Sequence, residues 1–263
     1  MLTTAALILI VTSNVVLGQD DSHPLDLADK SVDDQYDGCA DKMNNLVVDE
    51  DYLNKERKAN IAGFGDAWSK SENKTKGKKL ETLTRNHLIA IYVYTGVIGG
   101  VHKKFNQDVR TGGEKYKNNK FSWYTLYFWL TRAIQTLKKT QNGCISTYRG
   151  TSVKFNGVKN KEIRFGSFAS SSLERDIAEW FGTESCFEIK TCHGADVTEY
   201  SFHRNQKEVL IPPYETFEVT DIRNGKMGDW CTTVFELKST GIKSNLNCKL
   251  IKKMKYHNVN ISE

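Results

Sequence analysis

The sequence lacks most of the features that would assign a protein class directly. Its 263 residues include only three prolines, no low-complexity run and no internal repeat, which argues against linker-rich and repeat architectures. Neither a Cys-x-x-Cys pair nor a His-Glu-x-x-His motif is present, so we expect no metal site. The net charge of +5 is mild, and the basic residues alternate with acidic ones without forming a stripe, so we expect no nucleic-acid partner.

Residues 1–18 carry no charged side chain, and their apolar centre runs from Ala5 to Val11. This segment ends at Gly18, before a glutamine and two aspartates, and the pattern predicts a secretory signal peptide. A signal-anchor helix is the alternative, but the apolar stretch is shorter than the roughly 20 residues that span a bilayer. We therefore expect an exported chain that begins at Gln19.

No later segment is apolar and long enough to cross a membrane, and the last residues are polar and charged. A glycolipid anchor is directed by a hydrophobic tail, so we expect no stable membrane anchor. The sequence predicts a protein that is secreted to the extracellular space or retained in a secretory compartment, and nothing in it requires more than a monomer. Asn73 and Asn260 lie in Asn-x-Ser/Thr triplets and are candidate glycosylation sites.

Cysteine is present in an even number, and every cysteine lies after the predicted signal peptide. The six residues are Cys39, Cys144, Cys186, Cys192, Cys231 and Cys248. An even count in an exported chain predicts disulfide bonds. The residues alone leave the pairing open.

The first half of the chain has helical patterns. Apolar residues recur at helix spacing from Leu80 to Ile91 and again from Leu126 to Leu137. The aromatic cluster between Trp123 and Trp129 is best interpreted as core packing. We therefore expect a helical lobe at about residues 40–142.

After Gly143 the pattern changes to short alternating runs, such as Ile163–Phe165 and Phe187–Ile189, which predict strands. One helix, from Leu173 to Phe181, interrupts them. Helices followed by strands favour an α+β fold, with the helical lobe packed on a core of antiparallel sheets at about residues 143–255. Residues 19–263 would form a single domain.

Three stretches in the second half carry polar residues of interest: TYRGTSVKF around Arg149, FASSSL around Ser170 and NQKEVLIPP around Glu208. Each has a structural explanation of its own, as a surface arginine, a serine that caps a helix, and a charge on an edge strand. In an extended strand, however, Gln206 and Glu208 would point to the same side. Together the two side chains would then form half of a site.

Taken in order, these stretches resemble the Arg-Ser-Glu signature of the vertebrate ecto-ADP-ribosyltransferases. DDQYDGC resembles the start of the family's mature domain, RNHLIAIYVYTG its helical lobe, and KEVLIPPYETFEV its most specific stretch. The resemblance extends from about Asp33 to Lys253. It implies the ADP-ribosyltransferase fold and an enzyme whose substrate is NAD+, with NADP+ as a further candidate. Such an enzyme cleaves the nicotinamide–ribose bond and transfers ADP-ribose to a protein acceptor, by family default at arginine.

The resemblance also implies roles for residues at the motif positions. Glu208 would stabilise the oxocarbenium-like transition state, and Ser170 would orient Glu208 through a hydrogen bond. Arg149 would bind the pyrophosphate with its fork of donors. The backbone of Gly150 would approach the nicotinamide amide, and the ring of Phe181 would stack on the nicotinamide.

An acceptor-recognition loop from Tyr200 to Asn205 follows from the same resemblance, with Phe202, His203 and Arg204 as exposed candidates for contact with the acceptor. The resemblance further implies two disulfides, Cys39–Cys248 from the N-terminus to the last strand and Cys144–Cys192 beside Arg149. For Cys186 and Cys231, a third bridge and two free thiols are the alternatives.

Gln206 departs from the family pattern, because arginine-directed members carry Glu-x-Glu where this chain has Gln-x-Glu. Glutamine forms hydrogen bonds but supplies neither negative charge nor basicity to an acceptor guanidinium. Gln206 therefore favours transfer to water, which is NAD glycohydrolysis, over arginine transfer. A catalytically silent binding module of the same fold is a weaker alternative, because Arg149, Ser170 and Glu208 are all present. A secreted lectin or adhesin has only the signal peptide and the cysteines in its favour.

Overall fold

The computed structural model describes residues 22–49, 51–96, 100–225 and 228–251. The predicted signal peptide and the triplet at Asn260 lie outside these residues. Within the described ranges, no helix is long and apolar enough to cross a bilayer. The same residues contain no group of three or more His, Cys, Asp and Glu side chains that could bind a metal ion.

In the described ranges, seven α-helices precede the main strands, and an eighth lies among them. They are α1 (Ala40–Asp49), α2 (Tyr52–Ala59), α3 (Phe64–Thr75), α4 (Arg85–Thr95), α5 (Val101–Thr111), α6 (Gly113–Lys117), α7 (Tyr124–Lys138) and α8 (Arg175–Glu179). Short 3₁₀ turns occur at Ile61–Gly63, Thr198–Tyr200 and Arg204–Gln206. The predicted α+β class is confirmed, with helices first and strands afterwards.

The strands form a two-stranded parallel pair and an eight-stranded sheet. They are β1 (His23–Pro24), β2 (Ile145–Thr151), β3 (Phe155–Asn156), β4 (Glu162–Ile163), β5 (Ala169–Ser172), β6 (Ser185–Thr191), β7 (Ala195–Asp196), β8 (Glu208–Ile211), β9 (Glu215–Asn224) and β10 (Thr233–Ile242). The pair joins β1 and β3, and the sheet has the order β4-β9-β10-β6-β2-β5-β8-β7. Neighbours in the described sheet are antiparallel except β10 and β6, so the sheet is mixed, where the sequence predicts antiparallel sheets.

Helix α7 is the centre of the helical core. Its stripe from Leu126 to Leu137 is buried, as are the aromatic side chains from Trp123 to Trp129, which confirms the core interpretation. The stripe predicted from Leu80 is only partly helical, because α4 begins at Arg85. Thr84 caps α4 by accepting the His87 N–H, and this capping residue sets the start of the helix.

The helix predicted from Leu173 to Phe181 contains only Arg175–Glu179, and the strand predicted at Ile163–Phe165 ends at Ile163. Arg164 leaves the strand pattern because its buried guanidinium donates to Asp33 Oδ2 at 2.6 Å and to the Leu27 and Lys243 carbonyls. Asp33 also accepts N–H groups from the segment after β10. The N-terminal segment is thereby joined to the residues that directly follow β4 and β10.

Three disulfides connect all six cysteines: Cys39–Cys248, Cys144–Cys192 and Cys186–Cys231. Both pairs implied by the resemblance are confirmed, and the third bridge, not a pair of free thiols, joins the remaining two. The expected position of Cys248 in the last strand is wrong, because β10 ends at Ile242 and Cys248 follows it. Cys144 and Cys192 flank the paired strands β2 and β6, directly before and after them.

Candidate active site

A pocket of about 310 Å³ lies where α4 and α5 face β2, β5 and β8. It contains most of the residues selected from the sequence: Arg149, Gly150, Ser170, Phe181, His203, Gln206 and Glu208. Phe202 and Arg204 do not line it. The structure therefore brings together side chains that are up to about sixty positions apart in the chain.

Glu208 is the first residue of β8 and lies opposite Ser172 of β5. The next three residues, Val209 to Ile211, are completely buried and fix the strand in the core, and Glu208 itself is only 5% exposed. Burial raises the pKa of Glu208 to about 7, while hydrogen bonds from Ser170 and Ser201 and the charge of Arg149 oppose this rise. The side chain is thus a carboxyl group that titrates near neutral pH.

The hydroxyl of Ser170 contacts both the Glu208 carboxylate and the Tyr94 hydroxyl. Tyr94 Oη also donates to the Phe168 carbonyl at 3.1 Å and accepts from Asn106 Nδ2 at 3.0 Å. Burial raises the pKa of Tyr94 to about 12, so this phenol stays protonated at neutral pH. Tyr94 and Ser170 therefore place α4 and β5 beside the carboxylate, and Asn106 of α5 is hydrogen-bonded to Tyr94.

Arg149 lies on β2, and its Nη1 donates to the Ser170 carbonyl at 2.6 Å. Burial lowers the pKa of Arg149, and the neighbouring Arg110 lowers it further, while Tyr94 and Glu208 raise it. An arginine that starts from so high a pKa remains charged under these effects. The contact with Ser170 fixes part of the guanidinium and leaves its other donors to face the pocket.

Gly150 has a packing role beside the one that the resemblance implies. A Cβ atom at this position would overlap the carbonyl oxygens of Ala178 and Gly182, because β2 packs directly against the backbone of α8 and the residues after it. The same segment carries Phe181, whose side chain is 54% exposed at the pocket. Close packing of two backbone segments therefore requires glycine here, and this packing positions Phe181.

Replacing Gly150 with alanine is expected to lower the free energy of unfolding by about 2–3 kcal/mol, because the methyl group meets backbone atoms that have no rotamer to change. Urea denaturation followed by tryptophan fluorescence measures this difference. Ser146→Ala, at an exposed position of the same strand, is the matched control and should change stability by less than about 0.5 kcal/mol. Equal stability of Gly150→Ala and wild type would contradict the packing argument.

A protein-family model described as NAD:arginine ADP-ribosyltransferase matches residues 25–242. The chain belongs to this family. Human ecto-ADP-ribosyltransferase 4 is 37% identical over 239 residues, which cover 86% of this chain and 73% of that protein. The mouse GPI-linked NAD(P)(+)–arginine ADP-ribosyltransferase 1 is 34% identical and covers 88% of this chain and 74% of its own length.

Solved structures agree with the family assignment. A mutant of the eukaryotic mono-ADP-ribosyltransferase ART2.2 in complex with NADH superposes with a TM-score of 0.72 at 32% identity, over 86% of this chain and 98% of that one. Exoenzyme S from Pseudomonas aeruginosa has a TM-score of 0.52 at 19% identity, over 76% and 96% of the two chains, and shows the fold alone. The predicted ADP-ribosyltransferase fold is therefore confirmed.

Gln206 lines the pocket, but the backbone around it is not the extended strand that the sequence pattern predicts. It ends the 3₁₀ turn Arg204–Gln206, and Lys207 adopts a left-handed conformation with φ of 47° before β8 begins at Glu208. The prediction that Gln206 and Glu208 share a face of one extended strand is therefore wrong. Ser172 Oγ donates to the Gln206 carbonyl at 2.8 Å, and this contact holds the turn against β5.

Of the three candidates for acceptor contact, Phe202, His203 and Arg204, only Arg204 is exposed. Phe202 is half-buried: its ring centroid lies 5.9 Å from that of Tyr92, and its N–H donates to Thr95 Oγ1 at 2.9 Å. His203 is half-buried against Phe202, at 4.8 Å between ring centroids. The expectation of three exposed side chains is wrong because the loop packs on helix α4.

The sequence did not predict the side chains that the helical lobe contributes to the pocket, above all Tyr94 and Asn106. It also gave no role to Ser201. Tyr94 falls in the stretch that resembles the family's helical lobe but has no predicted role there, and Asn106 lies on a separate helix outside every quoted motif. The available signal was the polar triplet Tyr94-Thr95-Gly96 at the end of an otherwise apolar helix. Ser201 lies one residue before the half-buried Phe202, within the predicted acceptor loop.

Proposed function

We propose that this protein cleaves the nicotinamide–ribose bond of NAD+ and transfers ADP-ribose to an arginine side chain of a protein acceptor. The observation that carries the proposal is the buried carboxylate of Glu208, in contact with Ser170 and in one pocket with Arg149. Relatives named NAD(P)(+)–arginine ADP-ribosyltransferases support the same reaction. NAD+ is a substrate in this scheme and not a permanent cofactor, and NADP+ is a second candidate substrate.

Binding of NAD+ would use the charge of Arg149 and the exposed ring of Phe181, which both line the pocket. The donors of Arg149 that do not contact Ser170 would bind the pyrophosphate, because a guanidinium presents a planar fork to phosphate oxygens. The exposed ring of Phe181 would stack on the nicotinamide. The ART2.2 mutant that binds NADH has the same fold, which supports a dinucleotide in this pocket.

Glu208 would act on the ribose next to the bond that breaks. Departure of nicotinamide leaves an oxocarbenium-like sugar, and a carboxylate beside it stabilises the positive charge more in the transition state than in the ground state. Ionised Glu208 can also accept a hydrogen bond from a ribose hydroxyl. Its burial strengthens both effects, because few water molecules screen the charge.

The acceptor step depends on Gln206, which lines the pocket beside Glu208. Its amide can orient a guanidinium by hydrogen bonding but cannot remove a proton from it. This specific feature favours water as a second acceptor, which would make the protein an NAD glycohydrolase in part. Phe202, His203 and Arg204 would contribute to the acceptor side of the site, with Arg204 as the exposed member.

Three disulfides support an extracellular or secretory location, since such bonds persist in oxidising compartments. Some relatives are named as ecto-enzymes, and two are named as GPI-linked. We propose a secreted monomer that carries glycans at Asn73, an exposed residue near the end of α3. Recovery from expressing cells only after phospholipase C treatment would contradict secretion, and light scattering would test the monomer.

The proposal is tested by incubating the purified protein with NAD+ and a mixture of acceptor proteins, while free nicotinamide and protein-bound ADP-ribose are measured separately. Release of nicotinamide together with labelled arginine supports the proposed transfer. Release without labelled protein identifies a glycohydrolase. If no nicotinamide is released at any pH, the protein is a silent module of this fold and the proposal is wrong.

NAD+ cleavage is expected to decline as the pH falls below about 7, because protonation of Glu208 removes the charge that stabilises the transition state. The sign follows from the raised pKa: above about 7 the carboxylate is ionised and active, and below it the neutral acid predominates. Measurement of kcat/KM for nicotinamide release between about pH 5 and 9 gives this profile. Constant activity down to about pH 5 would contradict the titration of Glu208 near neutrality.

A further inference from the structure

The hydroxyl of Ser201 contacts the proposed catalytic carboxylate from the side of the acceptor loop. Ser201 follows the 3₁₀ turn Thr198–Tyr200 and is only 1% exposed. Its Oγ donates to Glu208 Oε2 at 3.3 Å and accepts the His203 N–H at 3.2 Å. Because a hydroxyl has one proton, the accepted N–H directs that proton towards the carboxylate.

We propose that Ser201 is a positioning residue for ADP-ribosyl transfer, which orients Glu208 and favours its ionised form. This inference rests on the proposed function, because it assigns Ser201 a part in the same reaction. Ser170 of β5 contacts the carboxylate from another element. Two hydroxyl donors on separate segments restrict the side-chain rotation of Glu208, which a single donor would leave partly free.

The loop that carries Ser201 is fixed at two further points. The Phe202 N–H donates to Thr95 Oγ1 at the end of α4, and the Gln206 carbonyl accepts from Ser172 Oγ at 2.8 Å. Displacement of this loop by an acceptor would therefore move Ser201 away from Glu208. The contact couples the acceptor side of the pocket to the residue that breaks the NAD+ bond.

Several groups face Glu208 and influence its ionisation. Arg149 faces it from β2 and Tyr94 from α4, while His102 of α5 and His203 of the loop line the same pocket. Burial raises the pKa of Glu208 to about 7, and the Ser201 hydrogen bond is among the contacts that lower it. Removal of this donor therefore raises the pKa, so a smaller fraction of Glu208 is ionised at neutral pH.

The test compares Ser201→Ala with Thr198→Val. Thr198 lies in the adjacent turn, and its buried hydroxyl has no hydrogen-bond partner, so Thr198→Val removes a nearby hydroxyl without touching Glu208. Ser201→Ala is expected to reduce kcat for nicotinamide release about tenfold and to shift the acidic limb of the pH profile upwards by about half a unit or more. Thr198→Val should keep the wild-type profile. An unshifted acidic limb in Ser201→Ala would overturn the proposal.

A second measurement does not require activity. In protein labelled with ¹³C at the glutamate carboxyl groups, NMR titration gives the pKa of Glu208, whose signal is assigned by its absence in Glu208→Gln. The pKa of Glu208 should be higher in Ser201→Ala than in wild type, and an equal or lower value would overturn the inference. A wild type that releases no nicotinamide would instead contradict the proposed function, while this titration still tests the contact.

Discussion

Replacement of Glu208 with glutamine is expected to reduce nicotinamide release from NAD+ by about a thousandfold. Glutamine has nearly the same shape and still forms hydrogen bonds with Ser170 and Ser201, so the change mainly removes the negative charge. Loss of one preorganised electrostatic group in a buried site costs on the order of 3–4 kcal/mol of transition-state stabilisation. Steady-state release of nicotinamide measures the loss, and transfer to protein should fall with it.

Glu218→Gln is the matched control, because this glutamate lies on β9, and four other strands separate β9 from β8 in the sheet. It should retain wild-type activity. If Glu208→Gln released nicotinamide at the wild-type rate, the assignment of the catalytic carboxylate would be wrong.

In Glu208→Gln the free energy of unfolding should rise above pH 4.5, although the enzymatic activity falls. The folded protein raises the pKa of Glu208 from 4.5 to about 7, so between these values the folded state binds more protons than the unfolded state. The ionised carboxylate therefore destabilises the fold above about pH 7, and this penalty disappears as the pH falls through 4.5. Glu208→Gln should accordingly be more stable than wild type at about pH 8, by at most ~3 kcal/mol, and nearly equal to it at about pH 4.

The parts of the site that the sequence predicts are those with local signals. Glu208 precedes three apolar residues that become a buried strand, and such a run is visible in the sequence. Ser170 and Arg149 belong to short motifs whose order along the chain carries the family resemblance. The fold class follows for a similar reason, since helical and strand periodicities are local patterns.

The parts that the sequence does not predict depend on contacts between distant segments. Tyr94 and Ser170 meet in space only because α4 packs beside β5, and no spacing rule connects positions so far apart. Gly150 is required by the carbonyl groups of Ala178 and Gly182, which only the folded backbone brings close. The parallel pairing of β6 and β10 likewise follows from the path of the intervening strands.

The turn before Glu208 is an intermediate case. The sequence predicts that Gln206 and Glu208 lie on one face of an extended strand. Both side chains do line the pocket. The reason is different, because Gln206 belongs to a 3₁₀ turn, and Lys207 ends this turn in a left-handed conformation before the strand begins. A non-glycine residue in that region is uncommon and is not signalled by composition.

Replacement of Gln206 with glutamate is expected to raise arginine labelling by about a hundredfold relative to nicotinamide release. The new carboxylate would lie in the same pocket as Glu208, where it can pair with an acceptor guanidinium and accept its proton. The cleavage residues are unchanged, so the rate of nicotinamide release should remain within a few-fold of wild type. The ratio of protein-bound ADP-ribose to free nicotinamide measures the change in partition between arginine and water.

Asn205→Asp is the matched control for this substitution, because it adds the same charge to the same loop at an exposed residue that does not line the pocket. It should leave the ratio of labelled arginine to nicotinamide near the wild-type value. If Gln206→Glu and Asn205→Asp raised labelling equally, the effect would come from general attraction of basic acceptors and not from a group placed beside the reacting carbon. An unchanged ratio in Gln206→Glu would show that the acceptor guanidinium binds elsewhere on the loop, with the exposed Arg204 side as the next position to vary.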